Sequence, residues 1–318
     1  LTNYGKILFN QLEYHRNKSI TAMAKEVQKL YIDSSKDIMK AYRQSKSGSF
    51  NRAWALRYMK HIQQHIEKLT KQLDDLGIQS IKEASKITTE ISKISFEDAI
   101  KISLPQKVVD RMFGIPEEVI NRLVNGTLYK GGVGLSKRVW NTTNKYKQDI
   151  NYVIAQGLAT NKSYKELAQD LEKYVNPQSK KDWNWNKLYP KTNKQVDYNA
   201  VRLIRTSINH SFYLSNVANV NSNPFATGMH WQLSTQHETR QIIPFGPDEC
   251  DDFAHQNGYQ LGEGNFPTDK VPIPHPNCLC VQYAVIPQDM VSIGKQINSW
   301  LKGGKDSRLD DWWANGAQ

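Results

Sequence analysis

The chain has 318 residues, 39% of them hydrophobic, which allows two cores, and no apolar run is long enough to span a membrane. Its three cysteines are too few, and odd in number, for a disulfide framework, which points to a reducing, cytoplasmic origin. The net charge of +11 is uneven: residues 1–200 hold 34 Lys and Arg against 20 Asp and Glu, whereas residues 201–318 hold 8 against 11. Such a field favours a polyanion beside the first two thirds of the chain, although a Lys-rich solvated surface would give the same count.

The first eighteen residues mix polar and apolar positions without a signal-peptide core. From Ile20, apolar residues at Met23, Ala24, Val27, Leu30 and Tyr31 recur at the spacing of an amphipathic helix, which "SKSGSFN" (Ser45 to Asn51) breaks. Met59, Ile62, Ile66, Leu69, Leu73 and Leu76 form a narrow second seam, with Gly77 expected to interrupt it. A weaker stripe of Ile81, Ala84, Thr88 and Ile91 follows as a third helical stretch. Residues 1–133 thus read as a long-helix, bundle-like region.

In "GIPEEVINRLVNG", Pro116 suits a first helical turn and Gly126 an end. Gly131, Gly132 and Gly134 do not make a phosphate loop, because no Gly-Lys-Ser/Thr follows and no strand precedes. They lead into a helix with Val139, Trp140, Tyr146, Ile150 and Val153 on one side. Ser163 and Glu166 spell a capping box, Trp183 and Trp185 lie in a polar stretch, and "VDYNAVRLIRTSINHSFYLSNVANV" reads as one long helix ended by Pro224. Residues 134–224 are therefore a second helical segment.

Residues 225–287 differ. "MHWQL" (Met229 to Leu233) and "VQYAVI" (Val281 to Ile286) alternate as strands do, and nearly fifty loop-rich residues separate them. Residues 288–318 add a helix, "VSIGKQINSWLKGG", and a Trp-rich tail whose Trp312 and Trp313 either anchor a partner or dock on their own domain. The expected class is α+β: a helical N-terminal region, then a small loop-rich module with a few short strands.

Within that module "VPIPHPNCLC" (Val271 to Cys280) gathers a histidine, two cysteines and three prolines into ten residues. Thiolate and imidazole are the donors zinc prefers, so Cys250, His275, Cys278 and Cys280 are the candidate ligands of one structural zinc, with His237 or His255 in reserve. Pro274 and Pro276 stiffen the segment around His275. Close packing of the cysteines, or a Cys250–Cys280 disulfide, are the alternatives. His237, Asp248 and Asp251 are also of the right types for acid–base chemistry, as in a nuclease- or toxin-like module. No nucleophile elbow, zinc-protease helix or Walker motif accompanies them, and acidic loop residues are commonly caps, so the chain reads as non-enzymatic.

"GLSKRVW" with the helix behind it, "LIRTSINHSF", "WQLSTQH", "DECDDFA" and the closing "VPIPHPNCLC" occur in an order that resembles the phage head morphogenesis family, the Mu F-like minor capsid proteins. The resemblance covers residues 134 to 286. The chain departs from the family pattern at Ser207, where many members have Glu, and at Phe253, where many have a second cysteine. The resemblance implies a virion protein inside the head of a tailed phage or prophage, in few copies. It would be associated with the portal protein, touch major capsid or scaffolding protein, contact packaged double-stranded DNA non-specifically, and act in assembly or DNA ejection. A free-standing DNA-binding protein is the remaining alternative, without a recognisable reading helix to support it.

Overall fold

The computed structural model describes residues 3–45, 52–114, 117–192 and 195–315. Pro116 and most of the Ser45–Asn51 break lie outside them. In chain order the elements are α1 (Asn3–Gln44), α2 (Arg52–Ile100), α3 (Gln106–Phe113), α4 (Glu117–Val124), α5 (Leu135–Ala159), α6 (Tyr164–Val175), α7 (Trp183–Leu188) and α8 (Tyr198–Ser222). Strand β1 (Gly228–Gln232) follows, then a π-helical turn (Glu238–Ile242), α9 (Ile243–Phe245), α10 (Glu249–His255), β2 (Asn265–Phe266), β3 (Val281–Val285), α11 (Met290–Leu301) and α12 (Ser307–Asn315). The class is α+β, as expected. The tail, however, is itself helical, and the long stretch between β1 and β3 holds short helices and a strand.

Two compact units divide the chain. The first gathers Leu1–Ser19, Ser80–Leu123 and Thr206–Gln318, the second Ile20–Gln79 and Val124–Arg205. Residues 1–133 and 134–224 therefore each contribute to both.

The second unit is all helix. Val27, Tyr31, Ile62, Ile66, Leu69 and Leu73 are buried, as their spacing predicts, and so are Val139, Tyr146, Ile150 and Val153 of α5. Trp140 instead stands exposed, with the Lys137 ammonium 3.9 Å from its ring centre. Trp185 is buried and stacks on Tyr174 at 5.9 Å; the side chain of Trp183 is outside the description. The Ser163–Glu166 capping box is formed in both directions, at 3.2 and 2.8 Å. Gly77 does not interrupt α2, which runs through it. A Cβ there would lie 2.9 Å from Leu135 Cδ2 and 3.3 Å from Ile204 Cδ1, so the glycine admits α5 and α8 at close range. Its helix-propensity cost of about 1 kcal/mol is offset by that packing. By sequence this unit carries 26 Lys and Arg against 12 Asp and Glu, a net +14, and the first unit 16 against 19, a net −3.

The first unit is built on a three-stranded antiparallel sheet in the order β2-β1-β3. Met229 pairs with Phe266 on one side and Ala284 on the other, and Trp231 pairs with Gln282. The strands are short, so helices supply the walls. Ser211 donates to the Ile81 carbonyl at 2.7 Å, Ser215 bonds Ser85 at 3.0 Å, and Asn219 donates to Ser92 at 3.2 Å. These pairs advance together along both helices, so the ends of α2 and α8 run side by side in the same direction. Trp312 docks on its own unit: its indole donates to the Ser222 carbonyl at 2.8 Å, and Arg111 lies 5.4 Å from its ring and 4.9 Å from that of Trp313. No helix among the described residues is long and apolar enough to cross a membrane.

At the end of α2 the backbone of α11 comes unusually near: a Cβ on Gly294 would sit 2.0 Å from the Ile100 carbonyl oxygen. A rigid backbone atom cannot yield as a side chain can. Gly294→Ala is therefore expected to destabilise the protein by about 1–3 kcal/mol, the usual cost of overpacking, despite alanine's better helix propensity. Urea unfolding followed by tryptophan fluorescence checks this; an unchanged or raised midpoint would contradict the close packing.

Candidate metal centre

The knuckle forms because its sequence demands a turn. The Cys278 N–H donates to the His275 carbonyl at 3.1 Å, and Asn277 has φ 72°. With Pro276 at the second position and Asn277 at the third, this is the pattern of a type II turn, which requires positive φ at that third residue. The turn places His275 and Cys278 at its two ends. Beyond it, the Cys280 N–H donates back to the Cys278 sulfur at 3.2 Å.

Cys250 arrives from α10. Asp248 caps that helix, its Oδ1 accepting from the Cys250 N–H at 2.9 Å, while Asp251 Oδ2 accepts from the Asp248 N–H at 2.8 Å, completing a capping box. The Cys250 and Cys278 sulfurs lie 3.6 Å apart, and all three cysteines are free and buried. Ligand atoms of Cys250, His275 and Cys278 all lie within 4.8 Å of one another. Cys280 hydrogen-bonds with both other thiols and accepts from the Ser234 backbone N–H. Of the sequence-derived set, Cys250, His275 and Cys278 are brought together as one group, which does not include Cys280.

Three crowded thiols do not ionise alike. Hydrogen bonds from Cys250 and Cys278, reinforced by the Ser234 N–H and the charge of His237, outweigh burial and pull Cys280 down to about 3. Cys250 is pushed up, first by its hydrogen bonds to Cys278 and Cys280 and then by burial. Cys278 also rises: donation from Cys250 favours its thiolate, but its bond to Cys280, burial and the Cys280 charge prevail.

The reserve histidines separate. His237 Nε2 lies 3.1 Å from Asp251 Oδ2 and groups with Asp248 and Asp251 within 4.8 Å. Burial would lower its pKa, but the Asp251 bond and the charges of Cys280, Asp251 and Asp248 raise it above the ordinary imidazole value. His255 is exposed and bonds Glu263 at 2.7 Å, away from the thiols. The two groups meet where His275 Nε2 lies 3.2 Å from Asp248 Oδ2. A carboxylate on a ligand histidine is the common outer-shell arrangement of metal sites. The tight group offers two sulfurs and an imidazole, donor types that zinc accepts, with Asp248 beside the His275 Nε2 and the Pro276 carbonyl oxygen 3.1 Å from its Nδ1.

Sequence reasoning missed the partners of the knuckle. His210 Nε2 lies 2.7 Å from the Pro274 carbonyl oxygen, Thr206 accepts from the Asn277 N–H at 3.1 Å, and Tyr213 donates to the Val271 carbonyl at 3.0 Å. Their spacing of four and three along α8 was visible, but nothing marked them as facing a loop rather than a core. No protein-family model, curated protein or solved structure matches the chain.

The turn geometry gives a direct test. Asn277→Gly should be neutral within about 1 kcal/mol, because glycine accepts positive φ, whereas Asn277→Val should lose about 1–3 kcal/mol in urea unfolding. Equal stability of the two variants would rule out the left-handed residue.

Proposed function

We propose that the chain is a structural minor capsid protein of a tailed phage or prophage, portal-associated within the head, whose cysteine module is locked by one zinc ion. The zinc would be held by Cys250, His275, Cys278 and Cys280, and supplies cross-linking rather than chemistry. The observation that carries this reading is convergence. Of the five segments that resemble the head morphogenesis family, four meet around one cluster: "LIRTSINHSF" through Thr206 and His210, "WQLSTQH" through Ser234 and His237, "DECDDFA" through Cys250, and the knuckle itself. Segments that are distant in sequence and share one buried purpose are what a family-defining module requires.

The segregation of charge agrees. The all-helical unit has net +14 and presents a surface suited to phosphate contacts without base reading, the kind expected beside packaged double-stranded DNA. The near-neutral, sheet-containing unit suits docking to protein. The nuclease- or toxin-like alternative has His237, Asp248 and Asp251 grouped within 4.8 Å, but the two carboxylates also cap α10 and bond His237 and His275, which suits a structural role.

Purified protein is expected to contain one zinc per chain by mass spectrometry and to capture the portal protein of the same genome. It should also retain duplex DNA of any sequence at low salt and release it as salt rises. Capture of the portal without metal would remove the zinc lock and keep the capsid role. Failure to capture the portal, with sequence-selective DNA retention, would replace this reading with a free DNA-binding protein. Metal-dependent DNA cleavage would replace it with an enzyme.

A further inference from the structure

We infer that Arg16 is an outer-shell positioning residue of the thiolate metal centre, so that metal loading fastens residues 3–19 of α1 to the cysteine knuckle. The inference rests on the metal reading above and adds a residue far from the Cys/His motif in sequence. Arg16 is 1% exposed, the most buried cation near the cluster. Its guanidinium donates to the Cys280 carbonyl at 3.0 Å, to Asn209 Oδ1 at 3.4 Å and to Asn17 Oδ1 at 3.2 Å, and its Nε has no hydrogen-bond partner.

A buried guanidinium is expensive unless negative charge lies near it. The nearest carboxylate, Glu13, is 4.0 Å away and outside hydrogen-bond range. It is engaged elsewhere: Glu13 Oε1 accepts from the Ser234 hydroxyl and from the Thr235 N–H, both at 2.8 Å. Ser234 in turn donates its backbone N–H to the Cys280 sulfur. One turn of α1 therefore grips the cysteine knuckle twice, Arg16 through the Cys280 carbonyl and Glu13 through the Ser234–Thr235 loop beside the Cys280 sulfur.

Zinc with three thiolates and a neutral imidazole carries one net negative charge. Burial works against the charged form of Arg16, with a smaller push from Arg240, and lowers its pKa to about 10, while Cys278, Glu13 and Cys280 attract it. Removing Arg16 would take away the buried cation that these three acidic groups share. Lysine would restore the charge but not the planar fork, whose Nη1 reaches the Cys280 carbonyl and Asn209 while Nη2 reaches Asn17.

The test uses the full chain with Zn²⁺ or Co²⁺ alone as probe. Wild type should bind one Co²⁺ with a thiolate charge-transfer band. Arg16→Met should weaken Zn²⁺ binding roughly 10–100-fold in chelator competition, the usual loss for an outer-shell residue, and Arg16→Lys should recover part of it. Zinc-saturated Arg16→Met should keep the wild-type circular dichroism. In wild type, zinc removal should speed amide exchange within residues 3–19. An Arg16→Met affinity within twofold of wild type would overturn the inference while leaving the metal centre in place. So would exchange in residues 3–19 that ignores zinc. A wild type that takes up neither ion would overturn the metal reading itself. Should Arg16→Met not fold, Arg16→Lys and the wild-type exchange experiment still decide.

Discussion

Backbone hydrogen bonding is the constraint on which the first unit depends. Val271 to Cys280 contains three prolines and can join no strand ladder, yet much of it is buried, and buried carbonyl and N–H groups must find partners. Side chains supply them. Tyr213 serves Val271, His210 serves Pro274, Thr206 serves Asn277, and Arg16 serves Cys280. Three of these four project from α8, one or two turns apart, so the helix acts as a rack on which the knuckle hangs. The placement of the two candidate ligands follows from that rack, because His275 and Cys278 are the two ends of a turn whose middle is tied to Thr206.

The same logic explains why α8 is polar and buried at once. Ser211, Ser215, Asn216 and Asn219 are all within the interior, where apolar residues would be the ordinary choice. Ser211, Ser215 and Asn219 bond the end of α2, and Asn216 donates to the Gln282 carbonyl of β3 at 2.9 Å. A one-residue slip of α8 would orphan several of these groups together, at about 1–3 kcal/mol each. The helix thus fixes one register against both α2 and the sheet, a specificity that a greasy interface would not enforce.

This polar interior also marks where reading the sequence stops. Long apolar stripes such as Ile62, Ile66, Leu69 and Leu73 were legible because burial there follows the helical period. The capping box at Ser163, the strands around Trp231 and Tyr283, and the gathering of Cys250 with His275 and Cys278 were legible from residue chemistry. Gly77 misled, since a glycine that breaks a helix and one that admits a neighbour look alike in sequence. The role of α8 was hidden because serine and asparagine in a helix normally signal solvent. Arg16 and Glu13 were hidden for another reason: their partners lie more than 190 residues away along the chain.

The small sheet shows why a cross-link suits this unit. Strands of five, two and five residues cover little apolar surface, and the segment between β1 and β3 has few core residues of its own besides Cys250, Phe266, Val271, Cys278 and Cys280. A tie between Cys250 and Cys278 closes a span of 28 residues. By the loop-entropy relation such a closure removes roughly 3–4 kcal/mol of freedom from the unfolded chain, comparable to burying one or two large side chains. A Cys250–Cys280 disulfide could provide a similar constraint, but it would consume only two of the three thiols. Cys250, His275 and Cys278 stand close enough together for one thiophilic cation to tie α10 to the knuckle, a cross-link of the kind that so thin a core calls for.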